Sequence, residues 1–363
     1  NDKYKGLVKR LATLAQDNDR VIFASGHEHS LQYIINENIK QIVSGSGSKA
    51  SYAVLSNDGL FSHPGQGFVV LDVFKDGSSW ASFYGSEKGK PVLLYQKEVH
   101  EAPKDFDVST LPDTFNPVTK ASVYRSEDTD RSDTYESIWG DRYRDVYGAN
   151  IDVQTVNLDT LYGGMTVDRK GGGHQTRSLR LKTKDGRDFN MRALRKSAVQ
   201  FLQTTAFKNS YIEEDFKNTI AEDILYDFYT AAHPYGFMAI PTLSDAIGLY
   251  HTNPKLFYVP KQKALGKYNN EYGDEIYMIV ERPEENHADV ESFGKPNDIE
   301  STADVYERLR RDEKYKIDEP AYIKARIFDM LVGDWDRHQD QWRWSEFEKE
   351  DGTHVFQPIP RDR

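Results

Sequence analysis

Apolar positions recur along the chain in two different periods. Leu7, Val8, Leu11, Leu14 and Ala15 fall at helical spacing and predict an amphipathic opening helix. Short unbroken apolar runs then predict buried strands at 21–24 and around Ile42-Val43, each running into a glycine-containing turn. A β-rich stretch follows: 67–74, an Asp76-Gly77 hairpin signal, 79–84 and 91–95. Residues 97–131 lose periodicity, hold Pro103, Pro112 and Pro117, and read as a linker. A second domain is expected from 132, opening on a helical segment at 137–146 that carries Trp139, Arg142, Tyr143 and Arg144. Strands at 178–182 and 188–194, joined by Asp185-Gly186, lead to a long helix at 213–232. Further strands fit 256–259 and 275–281, and a last helix, 321–332, runs into an acidic loop beginning at Gly333. The fold class is α+β, with domains at 1–96 and 132–363.

Three places on this frame carry candidate chemistry. Gly26-His27-Glu28-His29 follows a strand directly, so two imidazoles two residues apart can be aimed at a first-row metal, with Gly26 allowing a sharp backbone turn. An ordinary surface loop holding two histidines is the plainer alternative. Gly171, Gly172 and Gly173 form a glycine turn close to Arg177, which reads either as a phosphate-contacting loop or as a tight basic turn. Asp334 and Asp336 flank Trp335 near His338 and Asp340. There the alternatives are N-cap and surface carboxylates, a core histidine satisfied by Asp340, and strand packing for Trp335, Trp342 and Trp344.

The His27/His29 segment, with Ile42-Val43-Ser44-Gly45-Ser46-Gly47-Ser48-Lys49 after it, resembles the C-terminal part of a calcineurin-like metallophosphoesterase. The resemblance implies that 1–96 is the closing portion of an αββα sandwich and that His27 and His29 are ligands of a two-metal centre (Mn, Fe or Zn). It places that family's other ligand motifs upstream, and none precedes residue 26. On this reading the chain is a fragment with half of a dimetal site.

The order hairpin, helix, strands, helix, acidic loop is similar to a two-lobed protein-kinase-like fold. The 333–342 run, GDWDRHQDQW, resembles the catalytic loop of atypical kinases of the HipA and CotH types. The resemblance implies Asp336 as the catalytic aspartate, with Arg337 and His338 bracing the loop, and Asp362 as an Mg²⁺ ligand. It places Gly171, Gly172 and Gly173 over the phosphates of ATP. The strand cation is Lys196, or Arg192 or Arg195 beside it, with Glu222 as its helical partner. The metal-ligand position after Asp336 is Gln341 where the pattern has Asn or Glu, and Asp334 stands for the usual Asn. More widely, 132–363 resembles a C-terminal region of Bacteroidetes-type metallophosphoesterases, which implies bacterial export to the periplasm or cell surface.

Composition narrows the function classes. The 363 residues carry a net charge of −11, which argues against nucleic-acid binding and is compatible with divalent metals. Cysteine is absent, so disulfides and thiolate metal sites are excluded. No stretch approaches the roughly 18 apolar residues of a membrane helix. Three functions follow: hydrolysis of a phosphorylated small molecule or protein, ATP/Mg²⁺-dependent phosphotransfer centred on Asp336 and Asp362, and a degenerate kinase-like scaffold, which Gln341 favours.

Overall fold

The computed structural model describes residues 7, 11, 15, 20–36, 39–55, 58–104, 106–171, 176–205, 207, 212, 216 and 219–362. The chain is α+β and divides into two compact units: Asn1–Asp105 with Phe201–Lys217, and Phe106–Gln200 with Asn218–Arg363. Most of the expected opening helix, including Val8 and Leu14, lies outside the described residues.

The first unit holds two sheets. One contains β1 (Ile22–Ser25), β2 (Leu31–Asn36), β3 (Ile39–Ser44) and β4 (Gly59–His63) in the order β1-β3-β2-β4. β1 runs parallel to β3, and β2 runs antiparallel to β3 and β4. The other is a meander of β5 (Gly67–Val73), β6 (Ser79–Glu87) and β7 (Lys90–His100). Alternate residues supply the core between them: Leu31, Tyr33 and Ile42 from one sheet, and Ala81, Phe83 and Val99 from the other. The Phe83 ring centres this core, 5.0 Å from Phe61 and 5.8 Å from Tyr95. The Asp76-Gly77 turn forms as expected, with Gly77 at φ 85° and the Asp76 carboxylate accepting from the Ser78 amide.

In the second unit, order reaches back into the expected linker. β8 (Val118–Ala121) pairs with β9 (Ile151–Gln154), and Val123 and Tyr124 are buried against Tyr147. The expected 137–146 helix is instead two, Asp133–Trp139 and Arg144–Gly148. Gly140, at φ 80°, ends the first, and the turn sends Arg144 into a buried ion pair with Asp227.

A five-stranded antiparallel sheet follows, built from β10 (Met165–Lys170), β11 (Thr176–Thr183), β12 (Asp188–Lys196), β13 (Lys255–Val259) and β14 (Glu275–Glu281). Its order is β10-β11-β12-β14-β13. Leu179, Leu181, Met191 and Ile279 point to one face and build the largest core. Between β12 and β13 lies the helix Ile220–Tyr229; the rest of the expected long helix before it falls mainly outside the described residues.

The last layer contains β15 (Asp298–Ser301), β16 (Tyr315–Ile317), β17 (Trp342–Glu348) and β18 (His354–Pro360), with helices Thr302–Arg311 and Glu319–Val332. The Asp318 carboxylate caps the second helix through the Ala321 amide, proline sits in its first turn, and left-handed Gly333 (φ 76°) ends it. Trp342 and Trp344 pack with Tyr322 as strand residues do, but Trp335 is 89 % exposed. Among the described residues no helix is long and apolar enough to cross a membrane.

Candidate functional site

The parallel β1/β3 pair sets the geometry of the histidine loop. Both strands end at the same edge of their sheet, so the 26–30 loop lies beside the turn that follows Ser44. The Gly45 amide donates to the Ser30 carbonyl at 3.2 Å. A Cβ on Gly45 would sit 1.9 Å from the Glu28 carbonyl oxygen, so only glycine permits this approach. The two motifs are therefore one packed unit. The unusual backbone falls on His27 (φ 73°) rather than on Gly26, and the Ser51 amide donates to the His29 carbonyl at 2.7 Å. His27 is exposed and His29 half-buried.

Sequence reasoning missed His63. It ends β4 opposite Leu31, at the same sheet edge, and only pairing register discloses it. These imidazoles do not converge on one point with a third ligand among the described residues.

The acidic loop is organised by Arg337. Its guanidinium pairs with Asp329 and Asp334 and donates to the carbonyls of Gln341 and Arg361. It also lies 5.2 Å from the Trp342 ring. The helix end, the loop and the ends of β17 and β18 meet on this one side chain. Asp336 is exposed. His338 is exposed rather than a core residue, and its Nδ1 accepts from the Asp340 amide at 3.3 Å. Gln341 is buried, and its Oε1 has no hydrogen-bond partner. Asp362, at φ 64°, pairs with Arg192 on β12, joining residues 170 apart.

The other expected ligand contacts are distributed differently. Gly171 donates to the Ser178 carbonyl at 2.8 Å, and a Cβ there would lie 2.2 Å from Ser178 Oγ. Gly172 and Gly173 lie outside the described residues. Arg177 is committed to Glu275, at 2.5 and 2.6 Å, and to the Glu271 carbonyl. Lys196 sits 5.1 Å from the Tyr229 ring, and burial lowers its pKa. Glu222 accepts from Tyr226 at 3.1 Å and lines a cavity with Arg195. Of the three competing strand cations, Arg192 is the one that meets Asp362.

A carboxylate cluster of Asp298, Glu300 and Glu346 also stands out. Arg308 pairs with both glutamates, which makes it an ion-pair network; burial raises the Glu300 pKa while Arg308 opposes the rise.

No family model and no curated protein matches the chain. A solved structure titled "GAP50 the anchor in the inner membrane complex of Plasmodium" is similar over a limited stretch, with 26 % identity and a TM-score of 0.23. The match covers 25 % of this chain and 29 % of that one, and a likeness at that score carries no argument about fold or function.

Proposed function

We propose that the first unit contributes imidazole ligands to a metal-dependent phosphoester hydrolase of the calcineurin-like type. The observation that supports this most is the contact of the Glu28 carbonyl on Gly45, which fixes the backbone of the two-histidine segment from below. His27 and His29 would hold metal; the donor set fits in type but supplies only two ligands, and the rest would come from beyond the described residues. Bound divalent metals would supply Lewis-acid stabilisation of the attacking and leaving oxygens.

The test is the thermal midpoint with and without Mn²⁺, beside hydrolysis of p-nitrophenyl phosphate. A ligand at about 100 times its Kd stabilises by about 2.7 kcal/mol. The rise should vanish in His27→Ala and in His29→Ala. A rise that survives both substitutions overturns the assignment.

A second reading belongs to the other unit: ATP/Mg²⁺-dependent phosphotransfer, with Asp336 as proton acceptor and Asp362 as metal ligand. The pairing of Arg192 with Asp362 favours it, because it joins a strand cation to the carboxylate expected to hold Mg²⁺. The exposed Asp336 and the amide at Gln341 favour a scaffold instead. Turnover of ATP·Mg²⁺ that disappears in Asp336→Ala decides for transfer; its absence in the wild type decides against it.

A further inference from the structure

The face of the five-stranded sheet opposite its core carries Arg180 and Arg192. Arg180 stands in register with Asn190, and Asn190 with Val280, while Arg192 stands opposite Met278. Side chains in register share a face. The end of β18 brings Arg361 and Asp362 to the same place, closing a cavity of about 190 Å³ whose walls include Arg180, Arg192, Met278 and Val280.

Three arginines and two carboxylates, Glu281 and Asp362, line the cavity. Asp362 pairs with Arg192, and Glu281 accepts from the backbone and side-chain amides of Asn253, so neither forms an ion pair with Arg180 or Arg361. Arg282, nearby, is paired with Glu284. Arg361 finds one carbonyl, that of Asp340 at 2.7 Å. Arg180 Nη1 and Arg361 Nε are buried with no acceptor. Burial, reinforced by Arg343, Arg282, Arg180 and Arg192, pushes the Arg361 pKa down to about 9. Burial and Arg282 likewise lower that of Arg180, against the opposing pull of Glu284 and Asp188. A guanidinium does not escape such crowding by losing its proton, and buried unpaired donors are costly. Guanidinium forks match the oxygens of a phosphate in both geometry and charge.

We propose that this cleft is an oxyanion site that takes the phosphate groups of a small organic phosphate directly on Arg180 and Arg361, beside the Arg192–Asp362 pair, with no metal bridge. The ligand's organic body lies against the apolar wall of Met278, Val280 and Phe237. The site shares its cleft with the phosphotransfer reading but does not require transfer at Asp336.

The probe is inorganic pyrophosphate in EDTA at constant ionic strength, followed by calorimetry and thermal midpoint. Wild type should bind saturably. Arg180→Gln and Arg361→Gln should each weaken binding at least about tenfold, the scale of one lost charge-assisted contact. Arg177→Gln, outside the cavity, should bind like wild type. Without ligand, Arg180→Gln should melt at or above wild type, because it relieves like-charge repulsion. Arg180 Nη1 has no partner to lose, so this variant carries the test even if Arg361→Gln fails to fold. No saturable binding, an equal midpoint rise from KCl alone, or unchanged affinity in the cleft variants overturns the proposal. ATP·Mg²⁺ turnover is scored separately: pyrophosphate binding without turnover removes the transfer reading alone, and turnover without pyrophosphate binding removes the oxyanion site alone.

Discussion

Arg337 and Asp329 form an ion pair across the Gly333 turn in which neither side chain is exposed, with Nε and Nη2 each 3.2 Å from a carboxylate oxygen. The pair ties the last turn of the helix Glu319–Val332 to the loop that carries Asp336. Arg326 adds a second contact to Asp329 at 2.9 Å.

Breaking such a pair from one side strands a buried charge and costs about 3–5 kcal/mol. Arg337→Ala should approach the lower bound, since Asp329 keeps Arg326. Asp329→Asn combined with Arg337→Gln should cost less than the sum of the two single changes. Urea denaturation reads all four variants. A loss below about 1 kcal/mol in Arg337→Ala would show that the latch does not hold the loop.

Gly45 and Gly47 offer a matched comparison in the first unit. A Cβ at Gly45 collides with the Glu28 carbonyl, whereas at Gly47 it meets nothing within 4 Å. Gly45→Ala should therefore displace the 26–30 loop, cost about 1–3 kcal/mol as overpacking does, and abolish any Mn²⁺ stabilisation. Gly47→Ala should leave both unchanged. Equal behaviour of the two variants in calorimetry would remove the packed loop from the explanation of metal binding.

The parts legible in the sequence were those governed by local period and turn chemistry. The expected strand at 275–281 coincides with β14, and the Asp185-Gly186 hairpin and the helix reaching Val332 form where periodicity placed them. Long-range pairing was not legible. Nothing near Arg192 announces Asp362, 170 residues away, and nothing in the 97–131 composition tells that Val118–Ala121 finds β9. The arginine cleft was legible only in part. Arg192 stood among three candidate strand cations, but Arg180 is spaced as solvent-facing strand positions are, and only the arrival of Arg361 turns their face into a cavity wall. Arg177 shows the converse: beside a glycine turn it suggests phosphate, but its fork is spent on Glu275.

That commitment makes Arg177 a stability residue. Arg177→Gln should lose two charge-assisted hydrogen bonds to Glu275, each of the order of 1.5–3 kcal/mol before solvent screening of a partly exposed pair. A net loss of about 1–2 kcal/mol in urea denaturation is expected. A variant as stable as wild type but unable to bind pyrophosphate would return Arg177 to the ligand site.

His287 sets the expected acid limit of the second unit. It is buried, its ring stands edge-on to Phe189 at 5.5 Å, and its Nδ1 lies 2.8 Å from Asn286 Oδ1. Burial is the main cause, aided by Arg187 and opposed by Asp188, Asp289 and Asp185, that brings its pKa down to about 4. Unfolded, a histidine titrates near 6.5. Between those values the unfolded chain binds a proton that the native ring refuses, so stability rises with pH through this window and is lost as pH falls from about 6.5 to 4. Above 6.5 the ring is neutral in both states and contributes no slope. Replacing it with a side chain that does not titrate, as in His287→Gln, should flatten this limb of the midpoint-versus-pH curve while leaving the carboxylate contributions in place. Parallel curves for variant and wild type between pH 4 and 6.5 would mean that the native ring takes up its proton as readily as the unfolded one.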